Sequence, residues 1–336
     1  MVHFSIPELL TGALLVSPSW GAYVLKKNYQ GQNFTSGFNF RTAADYEGGD
    51  PTGGFVNYLN LQDASKAGLV KVVNNQVYLG TDSTKTLATT AQGRDSIRLE
   101  SKESFNNGLL IADIAHMPGS QCGIWPAFWT YNFDEDPYGE VDIIEYAMFD
   151  SGNTVSLHTC GACNFDLSGQ PGTDPRSNCN LGDETHLCPE TDNSNFGGCG
   201  NTAATGSAGD GFNAGGGGVY ATAIESTSLK IWFFPKSKIP KDITAGTPDP
   251  STWSKPFVDF ETSKSSNKCS VAKYFKKNTI IINTDLCGSN IDQDWWDSEP
   301  TCTSKAKDCR TFVAQNPSAF KEAYWLFNSV KVYQQA

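Results

Sequence analysis

The sequence predicts an all-β protein, a sandwich or barrel of short antiparallel strands carrying one long, disulfide-rich loop. Three observations predict it. Short β-rich runs recur along the chain, amphipathic helical periodicity is nearly absent, and 32 Gly and 16 Pro among 336 residues supply turns between the runs.

Taken in order, the chain opens with an apolar stretch from Ile6 to Val16 followed by small residues, the pattern of a secretory signal. Glu8 interrupts it and no Lys or Arg precedes it. Residues 1–21 are read as a signal peptide and 22–336 as one domain, since no internal repeat or linker divides the rest. Asn33-Phe34-Thr35 is an acceptor sequence for N-glycosylation, which fits export. Lys71 to Leu79 reads as a hairpin turning on Asn74-Asn75. Strands are expected at Ser96 to Ser101, Leu109 to Ile114, Val155 to His158, Val219 to Ile224, Leu229 to Phe234, Thr279 to Asn283 and Val330 to Tyr333. The best helix is short, with Asn316 as cap, Pro317 at its first position and Ala319 to Tyr324 following. Cys160 to Gly218 is different, rich in Gly, Asn, Asp and Ser, and reads either as a surface insertion or as a wall of a binding cleft.

Hydrophobic residues at 39% and charged residues at 18% make a globular balance. A net charge of −11 argues against a nucleic-acid partner, because phosphate binding needs a basic surface. No later apolar run approaches the length of a membrane span. The ten Cys, all from Cys122 onward, read as disulfides of an extracellular protein, with the pairing open. Cys160-Gly161-Ala162-Cys163 after His158 superficially resembles metal-ligand spacing, but no second regular Cys pair completes a zinc set. No cofactor is expected, and a structural calcium ion is not indicated. A secreted monomer is the reading adopted.

The segment that needs a reason is Glu140-Val141-Asp142-Ile143-Ile144-Glu145. Asp and Glu are poor strand residues while Val and Ile are good ones. The bland account is a solvated acidic face or a calcium site. Pleat geometry makes a sharper demand. Glu140 and Asp142 share a face, whereas Glu145 lies an odd number of residues away and points to the other side of a regular strand. An extra residue near Ile143-Ile144, a β-bulge, returns it to the same face. Three acids so gathered suit glycoside hydrolysis with retention, which uses two carboxyl groups about 5–5.5 Å apart. Crowded carboxyls do not all ionise easily, so at least one proton stays near neutral pH.

These residues resemble the signature of glycoside hydrolase family 16, in its bulged form Glu-x-Asp-x-x-Glu. The resemblance is strongest to the fungal endo-1,3(4)-β-glucanases, or laminarinases. Gly93-Arg94-Asp95-Ser96-Ile97-Arg98-Leu99, Trp125-Pro126-Ala127-Phe128-Trp129, Leu157-His158-Thr159 and Ile231-Trp232-Phe233-Phe234-Pro235 are similar to family segments in their usual order. The likeness extends from about residue 22 to the C-terminus. It implies a concanavalin-like jelly roll of two curved antiparallel sheets, with a β-glucan as substrate and partner lying across the concave one. It further implies Glu140 as nucleophile, Asp142 as its helper and Glu145 as general acid/base. Trp129 is implied as a sugar-stacking platform, Trp125 as a second platform or core packing, and Arg98, His158 and Asn57 as substrate-binding residues. One departure is visible. Many relatives carry Trp-Pro just before the catalytic strand, where this chain has Asp134-Glu135-Asp136-Pro137-Tyr138-Gly139, so Tyr138 is expected to stand in as a smaller platform. A cell-wall transglycosylase uses the same two Glu and is the alternative. A non-catalytic glucan binder is expected to lack one of them.

Overall fold

In the computed structural model, the described residues are 23–46, 49–132, 137–150, 152–181, 188 and 197–335. The signal-peptide reading and the Asp134-Glu135-Asp136 stretch lie outside them. The alternating runs assemble into two large sheets whose neighbouring strands are all antiparallel.

The first sheet has eight strands. Seven follow the order Val258–Glu261, Ser228–Pro235, Gly218–Ile224, Gly108–His116, Tyr324–Gln335, Gln76–Gly80 and Val70–Val73, and Tyr23–Tyr29 also pairs with Tyr324–Gln335. The second sheet runs Cys199–Thr202, Thr154–Thr159, Gly139–Glu145, Ile124–Tyr131, Thr279–Leu286, Arg98–Ser101 and Phe38–Phe40. A parallel pair, Val56–Tyr58 with Arg94–Ser96, stands apart. The jelly roll implied by the family resemblance is therefore the architecture found.

Inward-facing residues of both sheets form one core. Leu110, Ala112, Ile114, Val330 and Val332 of the first sheet share it with Phe128, Val141, Ile143, Ile144, Leu157, Ile280 and Ile282 of the second. Each fully buried aliphatic side chain contributes about 1.5–3 kcal/mol, so a strand with this face turned outward is strongly disfavoured. The core thus fixes which residues of the second sheet look outward, and those are the polar ones. The outer side of the first sheet is instead capped, with Trp232 and Phe234 packed against Ile243 and Trp253 of the following segment.

The expected hairpin is present as Val70–Val73 and Gln76–Gly80, with Asn74 and Asn75 at φ 51° and 64°. Positive φ at both central residues matches strand twist, and Asn tolerates it better than other side-chain-bearing residues. The expected helix at 316–324 is corrected. Pro317–Phe320 makes only one 3-10 turn, and the last strand already begins at Tyr324. Better helices lie just upstream, at Gln293–Ser298, Pro300–Thr303 and Cys309–Gln315, capped by Asp292, Glu299 and Asp308 through hydrogen bonds from the following turn. They bury Trp296 and Phe312 in a second core beside Ile124 and Leu286.

All ten Cys are paired: 122–302, 160–188, 163–269, 179–199 and 287–309. Cys160 and Cys163 therefore take different partners, which removes the zinc spacing. Three of the bridges staple the segment from Cys160 to Gly218, and Cys199–Thr202 joins it to the edge of the second sheet.

Candidate active site

The strand Gly139–Glu145 lies between Thr154–Thr159 and Ile124–Tyr131. Against the latter, Asp142 pairs with Trp129 and Ile144 with Phe128, so Ile143 is the additional residue. Against the former, Asp142 pairs with Ser156 and Glu145 with Thr154, three steps on one strand opposing two on the other. This is the demanded bulge. Ile143 and Ile144 are both completely buried, while Glu140 and Glu145 stay partly exposed on the outward face beside Asp142. A bulge leaves backbone groups without ladder partners. Asn153, itself buried, supplies them: its Nδ2 donates to the Ile143 carbonyl at 2.8 Å and its Oδ1 accepts from the Glu145 N–H at 2.9 Å.

Around the acids the contacts are specific. The Tyr138 hydroxyl donates to Glu140 Oε2. His158 Nε2 sits 3.0 Å from Asp142 Oδ2 and 4.0 Å from Glu140 Oε1. Trp125 Nε1 donates to Glu145 Oε1 at 2.9 Å. Burial, then the neighbouring Asp142 charge, push Glu140 up to about 8, while His158 and the Tyr138 hydrogen bond pull the other way. Asp142 is raised well above the carboxylate range, by burial first and then by Glu145, with Arg176 opposing. The site therefore retains protons at neutral pH, as crowding requires. His158 and Tyr138 are thus the groups that favour the Glu140 carboxylate. Donor atoms of Glu140, Asp142 and His158 lie within 4.8 Å of one another, a set able to hold a cation, but the His158–Asp142 contact already satisfies two of the three.

To one side of the acids the floor is built from Trp129, Tyr131, Asn283 and Arg98. Trp129 Nε1 donates to Asn283 Oδ1 at 2.8 Å. The Arg98 guanidinium carbon lies 5.3 Å from the Trp129 ring centre and 5.1 Å from that of Tyr46. With Glu100 3.5 Å away, this buried cation is compensated by a carboxylate and two ring faces. To the other side lie Thr154, Ser156 and Gly200, with Arg176 of the stapled loop donating to Ser156 Oγ at 3.1 Å.

Of the residues singled out from sequence, Glu140, Asp142, Glu145, Trp125, Trp129, Tyr138 and His158 come together, and Arg98 joins them through Trp129. Two make polar contacts that the ring-platform reading does not include. Tyr138 meets Glu140 through its hydroxyl, and Trp125 meets Glu145 through its indole N–H while its ring packs on the second core. Asn57 is elsewhere in its bonding: its amide donates to Asp95 at 2.7 Å within the parallel pair. Asn153, Tyr46 and Arg176 were not read from sequence. Only Asn153 left a trace there, as an Asn in the turn between two strands.

A cavity of about 550 Å³ between Tyr23, Trp232 and Trp253 lies on the outer face of the other sheet. The chemistry is thus located by register and charge, not by concavity.

A family model described as the XgeA-like catalytic GH16 domain matches residues 39–333. A probable endo-1,3(4)-β-glucanase of Aspergillus fumigatus is 40% identical over 347 residues, covering 98% of this chain and 49% of that protein. The chain spans about half the length of the first curated relatives it matches. Two solved structures superpose with a TM-score of 0.79 over 93% of this chain and 100% of each of theirs. One, 39% identical, is an elongating GH family 16 β-1,3-glucosyltransferase. The other, 32% identical, is Laminarinase 16A of Phanerochaete chrysosporium with 6-O-glucosyl-laminaritriose in donor and acceptor sites.

Proposed function

The chain belongs to glycoside hydrolase family 16, and from that premise we propose that it is a retaining endo-β-glucanase acting on β-1,3 or mixed β-1,3-1,4 glucans. The single observation that carries this is the Ile143 bulge, which brings Glu140, Asp142 and Glu145 onto one face. In this reading Glu140 attacks the anomeric carbon and Glu145 gives its proton to the leaving oxygen. Water, deprotonated by Glu145, then releases the glycosyl group from Glu140. Asp142 holds a proton between the two and keeps Glu140 oriented. No metal or cofactor takes part.

Trp129 and Arg98 are assigned to the sugars that stay on the enzyme through both steps. A neutral glucan offers C–H faces to an aromatic ring and hydroxyls to a guanidinium, and the acidic surface does not repel it. Five disulfides support a secreted protein, since such bridges persist in oxidising compartments. Product profiling on laminarin, mixed-linkage glucan and xyloglucan tests the proposal. Reducing ends are expected from the first or second, and their release is expected to vanish in Glu140→Gln. Activity confined to xyloglucan overturns it.

The 39% identical glucosyltransferase supports a second reading, in which a sugar replaces water in the second step. The same carboxylates serve both, and lengthened products from a defined oligosaccharide favour transfer.

A further inference from the structure

The two halves of the site floor differ in a way the carboxylates do not explain. The Trp129 half is aromatic and cationic, suited to gripping a sugar through two chemical steps. The opposite half is built from the small residues Thr154, Ser156 and Gly200. With Trp129 and Arg98 assigned to the sugars that stay, it is the half left for the departing sugar and the acceptor. The Arg176 side chain reaches it, bonded to Ser156 Oγ.

Arg176 reaches this place because the stapled loop is forced against the sheet edge. Its backbone N–H and carbonyl each pair with Gly200 at 2.9 Å. A Cβ on Gly200 meets the Val155 carbonyl oxygen at 1.8 Å, so only Gly lets the Cys199–Thr202 strand that carries this pair lie so close to Thr154–Thr159. The Cys179–Cys199 bridge closes both strands just beyond this pair. Asp174 orients the guanidinium through Nη1 at 2.8 Å, Nη2 donates to Ser156 Oγ at 3.1 Å, and Nε is buried with no protein partner among the described residues. Ser156 is the cross-strand partner of Asp142. The side chain remains 29% exposed. A planar donor set so held suits the vicinal hydroxyls of a sugar.

We propose that Arg176 is a specificity-determining residue, the group by which the disulfide-stapled loop holds the glucosyl unit on the leaving and acceptor side of the scissile bond. This rests on the β-glucanase reading above. Two substrates with the same two-sugar glycone separate the possibilities: laminaritetraose, which leaves a disaccharide, and 4-nitrophenyl β-laminaribioside, which leaves a phenol. In Arg176→Ala the ratio of kcat/KM for the tetraose to that for the aryl glycoside is expected to fall about ten- to a hundredfold, the range for loss of a charge-assisted hydrogen bond. Arg176→Lys, which keeps the charge but not the fork, is expected to fall between, and it supplies the answer should the Ala variant fold poorly. Equal losses on both substrates point to an effect through Asp142 or on folding and overturn the proposal, as does an unaltered ratio. Wild-type protein that turns over neither substrate removes the β-glucanase reading itself.

Discussion

Replacing Tyr138 by Phe removes one hydroxyl and keeps the ring, so it isolates the hydrogen bond to Glu140 Oε2. That bond favours the carboxylate, and burial with the adjacent Asp142 opposes it. A hydrogen bond to a charged group is worth about 1.5–3 kcal/mol, and about 1.4 kcal/mol corresponds to one pKa unit. Losing it therefore raises the Glu140 pKa by about 1–2 units. Because the nucleophile must be ionised, the acidic limb of kcat/KM moves to higher pH by the same amount. Within that limb the variant is about ten- to a hundredfold slower than wild type, and above it the two converge. The assay is kcat/KM for a laminari-oligosaccharide from pH 5 to 11, a range that spans the wild-type limb near 8 and the shifted one above it. A uniform loss across pH, or a limb that stays in place, refutes the assignment of Tyr138 as the group holding the Glu140 anion.

Three further predictions follow from other parts of the structure. Deleting Ile143 leaves Asp142 and the following Ile and Glu in regular register with both neighbouring strands, so the three acids keep one face. Thermal stability is expected to drop with loss of a buried Ile, by about 2–4 kcal/mol, while glucanase activity persists; a loss as complete as in Glu145→Gln contradicts this account of the bulge. Asn153→Ala leaves the Ile143 carbonyl and the Glu145 N–H unpaired at a cost of about 1–3 kcal/mol each, and kcat is expected to fall more than KM rises; an unaltered kcat speaks against Asn153 as the clamp. Asp285 is buried beside Asp50 and Thr52, and burial followed by the Asp50 charge pushes it up to about 8. Its raised folded pKa means stability is fullest below pH 4 and is lost as pH rises towards 8, by about 4 kcal/mol at pH 7. Asp285→Asn is expected to flatten this slope in melting experiments between pH 4 and 8, and an unaltered slope refutes it.

Much of the fold was legible because its signals are local. Period-two runs gave the strands, and Asn74-Asn75 gave the hairpin because a two-residue turn needs positive φ. The face carrying the three acids was legible for a different reason: acids inside a Val/Ile strand are costly unless used, and their odd spacing required the bulge that Ile143 supplies. The short helices at 293–315 were missed, although Asp292, Glu299 and Asp308 mark their starts, because each is too brief to show a periodic apolar stripe. The sequence suggests a ring at Tyr138, and its position two residues before Glu140 also brings its hydroxyl to the carboxylate. Asn57 follows from the family resemblance alone, and its bond to Asp95 ties it to the small parallel pair. Arg176 had no local signal. It reaches Ser156 only through Gly200 and the Cys179–Cys199 bridge, a convergence of distant segments.

The central claim is that Glu140 is the nucleophile of a retaining reaction. Incubation with a 2-deoxy-2-fluoro laminaribiosyl fluoride, which slows release of the glycosyl-enzyme, followed by peptide mass spectrometry, tests it most directly. A single adduct on the peptide bearing Glu140, absent in Glu140→Gln, is the result predicted. An adduct on Glu145, or turnover with inversion and no adduct, contradicts it.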